Sequence, residues 1–232
     1  MSTILWGLAW YFIFVISATF HEAAHAWAAK RAGDLTAYSG GQVSLNPVPH
    51  MKREPWGMII LPLIAVFLIG WPFGYASTPY SVDWAQRHPR RAAWMGCMGP
   101  LANLFLVLVS VLAIKAGIEG GVFLQPTSIG FRNLVDPAVP GVWTAAAAFI
   151  SLLFSMNLIL MVLNLFPLPP FDGSNIIALI LPAGAARGYS RFIRNPILGF
   201  GGFLIAWFLF RPLFQVIFPF VVNLIYPGSN YS

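Results

Sequence analysis

His21-Glu22-Ala23-Ala24-His25 stands near the end of an apolar run that begins at Ile4 and carries no charged residue before Glu22. No other feature constrains the chain as much. On a helix, residues i and i+4 lie on one face a turn apart, so imidazoles at 21 and 25 converge on one metal ion. Glu22, beside the first of them, reaches a water held by such an ion and takes its proton. The same five-residue pattern also occurs in soluble helices that hold no metal. In an apolar helix, however, three polar residues in five each need a buried partner, and ionisable groups at membrane depth are functional by default. The implied chemistry is metal-dependent hydrolysis with the active site inside the bilayer.

Composition fits that setting. The 232 residues are 58% hydrophobic and 9% charged, with a mean hydropathy of +0.75, which describes a polytopic membrane protein. The expected fold is all-α, with about four to six transmembrane or re-entrant helices. No internal repeat or long linker divides the chain, so residues 1–232 read as one domain with a core at about 4–182 and a helical C-terminal region at 196–226. The 20 Phe, 9 Trp and 7 Tyr suffice for interfacial aromatic belts. The net charge of +6 comes from Lys and Arg in short loops with no folded basic domain around them, so no nucleic-acid partner is expected. Cys97, the single cysteine, excludes a disulfide framework and a cysteine metal site and reads as a packing residue. The first apolar run follows only Met-Ser-Thr and carries the HExxH motif, so it is expected to be retained rather than cleaved as a signal peptide.

The first helix is expected from about Leu5 to Ala32, stopped by Gly33. His21 then lies roughly 24 Å along it, several Å short of the far side of a hydrocarbon core about 30 Å thick. Lys30 and Arg31 follow at once and mark that far side as cytoplasmic. Thr36 to Asn46, polar and strand-prone around Gly40-Gly41, reads as a small β-hairpin beside the metal helix, with an edge free to pair with substrate. The apolar run Trp56–Tyr75 is broken by Pro62, Gly70, Pro72 and Gly74. A simple span there would export Arg87, Arg90 and Arg91 against the positive-inside rule, so a re-entrant segment is preferred. Ala92–Ala116 and Val142–Phe166 read as spans joined by an extracytoplasmic connection, and Pro196–Tyr226 as one long helix or a broken pair.

Two histidines leave a catalytic metal short of its usual third protein ligand. Asp172 is the leading candidate, in Asn164-Leu165-Phe166-Pro167-Leu168-Pro169-Pro170-Phe171-Asp172-Gly173 directly after an apolar helix. Prolines end that helix, and Gly173 lets the chain turn tightly behind the carboxylate. The competing use of Asp172 is to cap the helix starting near Ser174.

HExxH in an early membrane helix and this proline-rich DG string after a late one resemble the site-2 protease family of intramembrane zinc metalloproteases. Gly99-Pro100-Leu101-Ala102-Asn103 is similar to the family's GPxxN element. The resemblance implies Zn2+ bound by His21, His25 and Asp172, Glu22 as general base, and Asn103 near the catalytic centre as an oxyanion or substrate-positioning donor. It further implies a transmembrane protein substrate, a lipid environment and residence in a prokaryotic cell membrane, with the active site toward the cytoplasm. His25-Ala26-Trp27-Ala28-Ala29, Gly33-Asp34, Leu45-Asn46-Pro47 and His50 resemble the compact subgroup that lacks a PDZ domain. Gly74-Tyr75-Ala76-Ser77-Thr78-Pro79 departs from that subgroup by lacking a lysine, which leaves its role open. His50 reads as a structural loop residue in preference to a pocket group.

Three rivals are weighed against this reading. A metal transporter needs ligands toward both membrane faces, whereas the acids and histidines cluster toward one. A catalytically silent zinc-binding relative has no need of Glu22. A prenyl-protein metalloprotease takes a later glutamate as third ligand, and no Glu follows Glu119.

Overall fold

A computed structural model describes residues 3–231. Helix α1 (Thr3–Arg31) is the retained first apolar run. In lipid a helix satisfies every backbone group within the segment, so an apolar run of this length has no better option. It ends in a Schellman cap: Gly33, at φ 98°, donates to the Lys30 carbonyl and Asp34 to that of Ala29. Four helices among the described residues are long and apolar enough to cross a membrane: α1, α6 (Pro89–Glu119), α7 (Val142–Asn164) and α10 (Pro196–Ile225). The protein is a multi-pass, all-α membrane protein, and Pro196–Ile225 is one helix despite Pro212 and Pro219 within it.

Helices α1, α6 and α7 pack against one another. Trp10, Ile13, Phe14, Leu152 and Met156 form the α1–α7 core, while Ile114, Phe154, Leu158, Phe218 and Val222 join α6, α7 and the C-terminal half of α10. The N-terminal half of α10 leaves Ile197, Phe200 and Phe208 exposed, as a lipid-facing surface would.

The segment after α1 is not a hairpin. Thr36–Ser39 is a short helix (α2), followed by turns in which Gly41 has φ 74°. The Asp34 carboxylate accepts from both the backbone N and Oγ1 of Thr36, which favours a helical turn over a strand. The one small antiparallel pair among the described residues lies elsewhere, as β1 (Phe123–Leu124) and β2 (Asp136–Pro137) in the α6–α7 connection. After α3 (Pro47–Arg53), a π-turn at Trp56–Ile60 leads into α4 (Leu61–Ile69), which closes on left-handed Gly70. At about 1.5 Å per residue these 14 residues reach roughly 21 Å, short of a bilayer core.

The chain then runs back in extended form. Tyr75 N donates to Gly57 O, and Gly57 and Gly74 have no side chains to hold the two strands of chain apart. It arrives at α5 (Val82–Arg87) and the start of α6 beside the end of α1. Trp84 Nε1 and Arg91 Nη1 both donate to Ala32 O, and Asp34 accepts from Ser81 N. Arg87, Arg90 and Arg91 thus share the end of the molecule that carries Lys30 and Arg31, the arrangement that a re-entrant segment requires.

Candidate metal centre and catalytic cavity

Ser17, His21 and His25 follow at four-residue spacing, so α1 turns one polar stripe toward α6 and α7. His21 Nε2 and His25 Nε2 lie 3.0 Å apart, and Asp172 Oδ2 is 3.1 Å from each. Asp172 opens a short helix, α8 (Asp172–Ile176), but makes no capping bond there, so its carboxylate is free for the imidazoles. The sequence expectation for Gly173 is corrected in its cause. It is not among the left-handed glycines, and a Cβ there would collide with the carbonyls of Leu165 and Phe166. Close packing of α8 on the end of α7, rather than a special turn, requires it.

The far side of each ring fixes its tautomer. His21 Nδ1 lies 2.6 Å from Asn103 Oδ1, and His25 Nδ1 lies 2.8 Å from Met95 O. Both partners are acceptors, since Asn103 Nδ2 is committed to Asn157 Oδ1 at 2.8 Å. Both Nδ1 atoms therefore donate, and both Nε2 lone pairs point at one spot beside a carboxylate oxygen. Three electron-rich atoms that close require a cation among them, which is a proton on one imidazole or a metal ion. Their spacing approaches the roughly 3.3 Å ligand–ligand edge of a tetrahedral zinc site with bonds of about 2.0–2.1 Å. His21, His25 and Asp172 also form the one metal-competent group of three acids, histidines or cysteines among the described residues.

Asn103 is fully buried and lines no part of the cavity. Its amide is spent on His21 and Asn157, and Asn157 Nδ2 donates to Ser17 Oγ at 2.9 Å and to Leu153 O at 2.8 Å. Asn103 thus sits on the Nδ1 side of His21, in a hydrogen-bonded chain with Asn157 and Ser17, rather than in the cavity wall. Ser17 and Asn157 were invisible to motif reading, although each is a polar residue inside an apolar helix, and Ser17 lies one turn before His21. Gly99, part of GPxxN, also has a direct cause. A Cβ there would stand 2.5 Å from His21 Nε2 and nearer still to His25 Nε2, so only a glycine lets α6 pass this close to the two imidazoles.

A cavity of about 240 Å³ opens in front of these atoms, lined by His21, Glu22, His25 and Asp172 together with Ala76–Thr78, Tyr80, Asn175, Ser190 and Arg194. Thr78 Oγ1 lies 2.7 Å from Glu22 Oε2 and 2.9 Å from the Glu22 carbonyl. Within the 74–79 stretch, whose role is open on sequence, Ala76–Thr78 form a wall of this cavity, with Thr78 bonded to Glu22. Ser77 Oγ donates to Glu54 and Ser77 O accepts from Gln42 Nε2, yet the backbone N–H groups of Ala76, Ser77 and Thr78 have no hydrogen-bond partner among the described residues. His50 is outside the cavity. It is buried, and its Nε2 donates to Ser44 O at 3.0 Å to hold the turn before α3.

A buried His–His–carboxylate centre, with a glutamate beside it and four membrane-length helices around it, is the site of a membrane-embedded metallopeptidase. The comparisons agree: residues 9–208 match the model of peptidase family M50, and the chain belongs to that family, the site-2 proteases. Over 171 residues it is 31% identical to "Putative zinc metalloprotease YwhC" of Bacillus subtilis, which covers 73% of this chain and 68% of the relative. Over 161 residues it is 29% identical to "Putative zinc metalloprotease Rip2" of Mycobacterium tuberculosis, covering 68% of this chain and 52% of that protein. No solved structure matches the chain.

Proposed function

We propose that this metallopeptidase is an intramembrane zinc protease that hydrolyses peptide bonds in or beside transmembrane segments of other membrane proteins. The observation that carries the reading is the convergence of two tautomer-fixed Nε2 lone pairs and Asp172 Oδ2 on one point, with Glu22 in the same cavity. His21, His25 and Asp172 would hold the ion. Bound there, zinc supplies Lewis acidity that turns a water into a nucleophile near neutral pH and polarises the scissile carbonyl. Glu22 takes the proton of the attacking water and returns it to the leaving amine. Thr78 holds the Glu22 carboxylate by donating to Oε2, and the Ser17–Asn157–Asn103 chain keeps the His21 lone pair aimed.

A helical substrate hides its amides, so the segment to be cut must unwind. The unpaired N–H groups of Ala76–Thr78 offer an edge where an unwound strand can pair next to Glu22. This is the role that the sequence suggested for Thr36–Asn46, which folds otherwise. A second, apolar cavity of about 680 Å³, lined by Phe14, Trp71, Phe73, Leu163, Phe171 and Trp207, suits an apolar segment approaching from lipid. His21 is ten residues from Arg31, about 15 Å along α1. With Lys30, Arg31, Arg87, Arg90 and Arg91 at that end, the active site faces the cytoplasm of a prokaryotic cell.

Glu22→Gln tests the reading. The amide can still accept from Thr78 but cannot take a proton, so metal content should stay at the wild-type level while cleavage of a model transmembrane substrate falls by about 10²-fold or more. Near-normal turnover by metal-replete Glu22→Gln would remove the base assignment, and absence of bound zinc in the wild-type protein would remove the metal assignment.

A further inference from the structure

Arg194 stands apart from the machinery described so far. It lines the same cavity as the motif residues, and its Nη1 is buried with no hydrogen-bond partner among the described residues. The side chain is not loose. Its guanidinium lies 5.8 Å from the centre of the Tyr80 ring, another residue of the cavity wall. Its backbone is fixed in the short junction between α9 (Ala183–Phe192) and α10, where Asn195 caps α10 by accepting from Ile197 N. Helix α9 is anchored in turn by Ala186 against Ala93 of α6 and Ala178.

A guanidinium in a confined cavity should pair with a carboxylate, and two are present. Neither is within ion-pair distance of it: Asp172 lies against the two imidazoles, and Glu22 Oε2 accepts from Thr78. The ion pairs among the described residues are those of Asp172 and one between Arg53 and Glu54, none of which includes Arg194. With a divalent ion bound, the cavity would hold two positive charges on the metal and one on Arg194 against two carboxylates, which leaves an excess of positive charge for an incoming anion.

We propose that Arg194 is a specificity-determining residue that binds a carboxylate carried by the substrate close to the scissile bond, as an acidic side chain or as a chain end. The inference rests on the protease reading above. It is tested with the full-length zinc-loaded protein in lipid and with paired transmembrane substrates carrying Glu or Gln at each position flanking the cleavage site. A further pair ends shortly after that site with a free or an amidated C terminus.

At one position, or at the chain end, the carboxylate form should be cleaved about 10- to 100-fold better in kcat/KM than its neutral counterpart, the range expected for a charge-assisted hydrogen bond. Whichever pair shows the preference identifies the source of the carboxylate. Arg194→Gln should bring that ratio close to one at wild-type zinc content, and Arg194→Glu should shift preference toward Lys at the same position. Binding of the same labelled peptides to Glu22→Gln protein reads the preference without turnover, so it survives a failure of the protease reading. The inference is overturned if neither cleavage nor binding favours a carboxylate at any position, if the preference persists in Arg194→Gln, or if Arg194→Gln weakens all substrates equally.

Discussion

Gly99→Ala removes no ligand, no base and no charge, yet it should empty the metal site. In a helix interior alanine is favoured over glycine by about 1 kcal/mol, so α6 itself is not weakened. The cost is local. The new methyl would stand 2.5 Å from both Cε1 and Nε2 of His21 and closer to Nε2 of His25, where ordinary contact is about 3.5 Å or more. Each imidazole must retreat by about 1 Å. Neither has room to do so with its Nδ1 bond intact. His21 is tied at 2.6 Å to Asn103, which is tied at 2.8 Å to Asn157, and His25 is tied at 2.8 Å to Met95 O.

Metal coordination tolerates shifts of only about 0.2 Å. Overpacking costs of about 1–3 kcal/mol, partly offset by the gain in helix propensity, leave the fold standing with a melting shift of a few degrees. Purified Gly99→Ala, washed and measured by elemental analysis, should hold less than about a tenth of the wild-type metal, and cleavage should fall by about 10²-fold or more. Full metal occupancy with near-normal turnover in this variant would refute the argument. It would mean that the two Nε2 atoms are not ligands, or that α6 yields without cost.

Further outcomes follow from the surroundings of the site. Asn157→Ala should weaken zinc binding by about 10- to 100-fold in chelator competition, because Asn103 then loses the partner that fixes its orientation toward His21; wild-type affinity would show that the chain orients nothing. Thr78→Val should lower kcat by about 10-fold at unchanged metal content, and Thr78→Ser should restore it; equal loss in both would reduce Thr78 to a packing residue. A cysteine introduced by Arg87→Cys in a Cys97→Ala background should be labelled from the same side of the membrane as one introduced by Arg31→Cys, and labelling from opposite sides would overturn the re-entrant path of residues 56–81.

How much of this was legible in the sequence follows from the range of each interaction. Three of the four spans could be read from apolar runs because lipid leaves a long apolar segment no alternative to a helix, the last being left as one helix or a broken pair, and the end of α1 could be read from Gly33 because a left-handed cap is a local requirement. His21, Glu22 and His25 were readable because their geometry is that of one helical turn. The third member of the cluster, Asp172, lies 147 residues from His25; its proline-rich surroundings made it a candidate, and the family likeness, rather than local geometry, decided between ligand and helix cap.

Thr36–Asn46 misled for the opposite reason. Strand propensity is realised only against a partner strand, and here the Asp34 carboxylate turns the chain into a helix first. The order of the chain likewise hides that Ala76–Thr78 would wall the cavity, that Asn103 would bond to His21 Nδ1, that Gly99 is required by two imidazoles on another helix, and that Arg194 would meet the same space from the far end of the chain. Local backbone requirements and the solvent are written along the chain; orphaned donors, tautomers and close approaches exist only after α1, α6, α7 and α8 have been brought together.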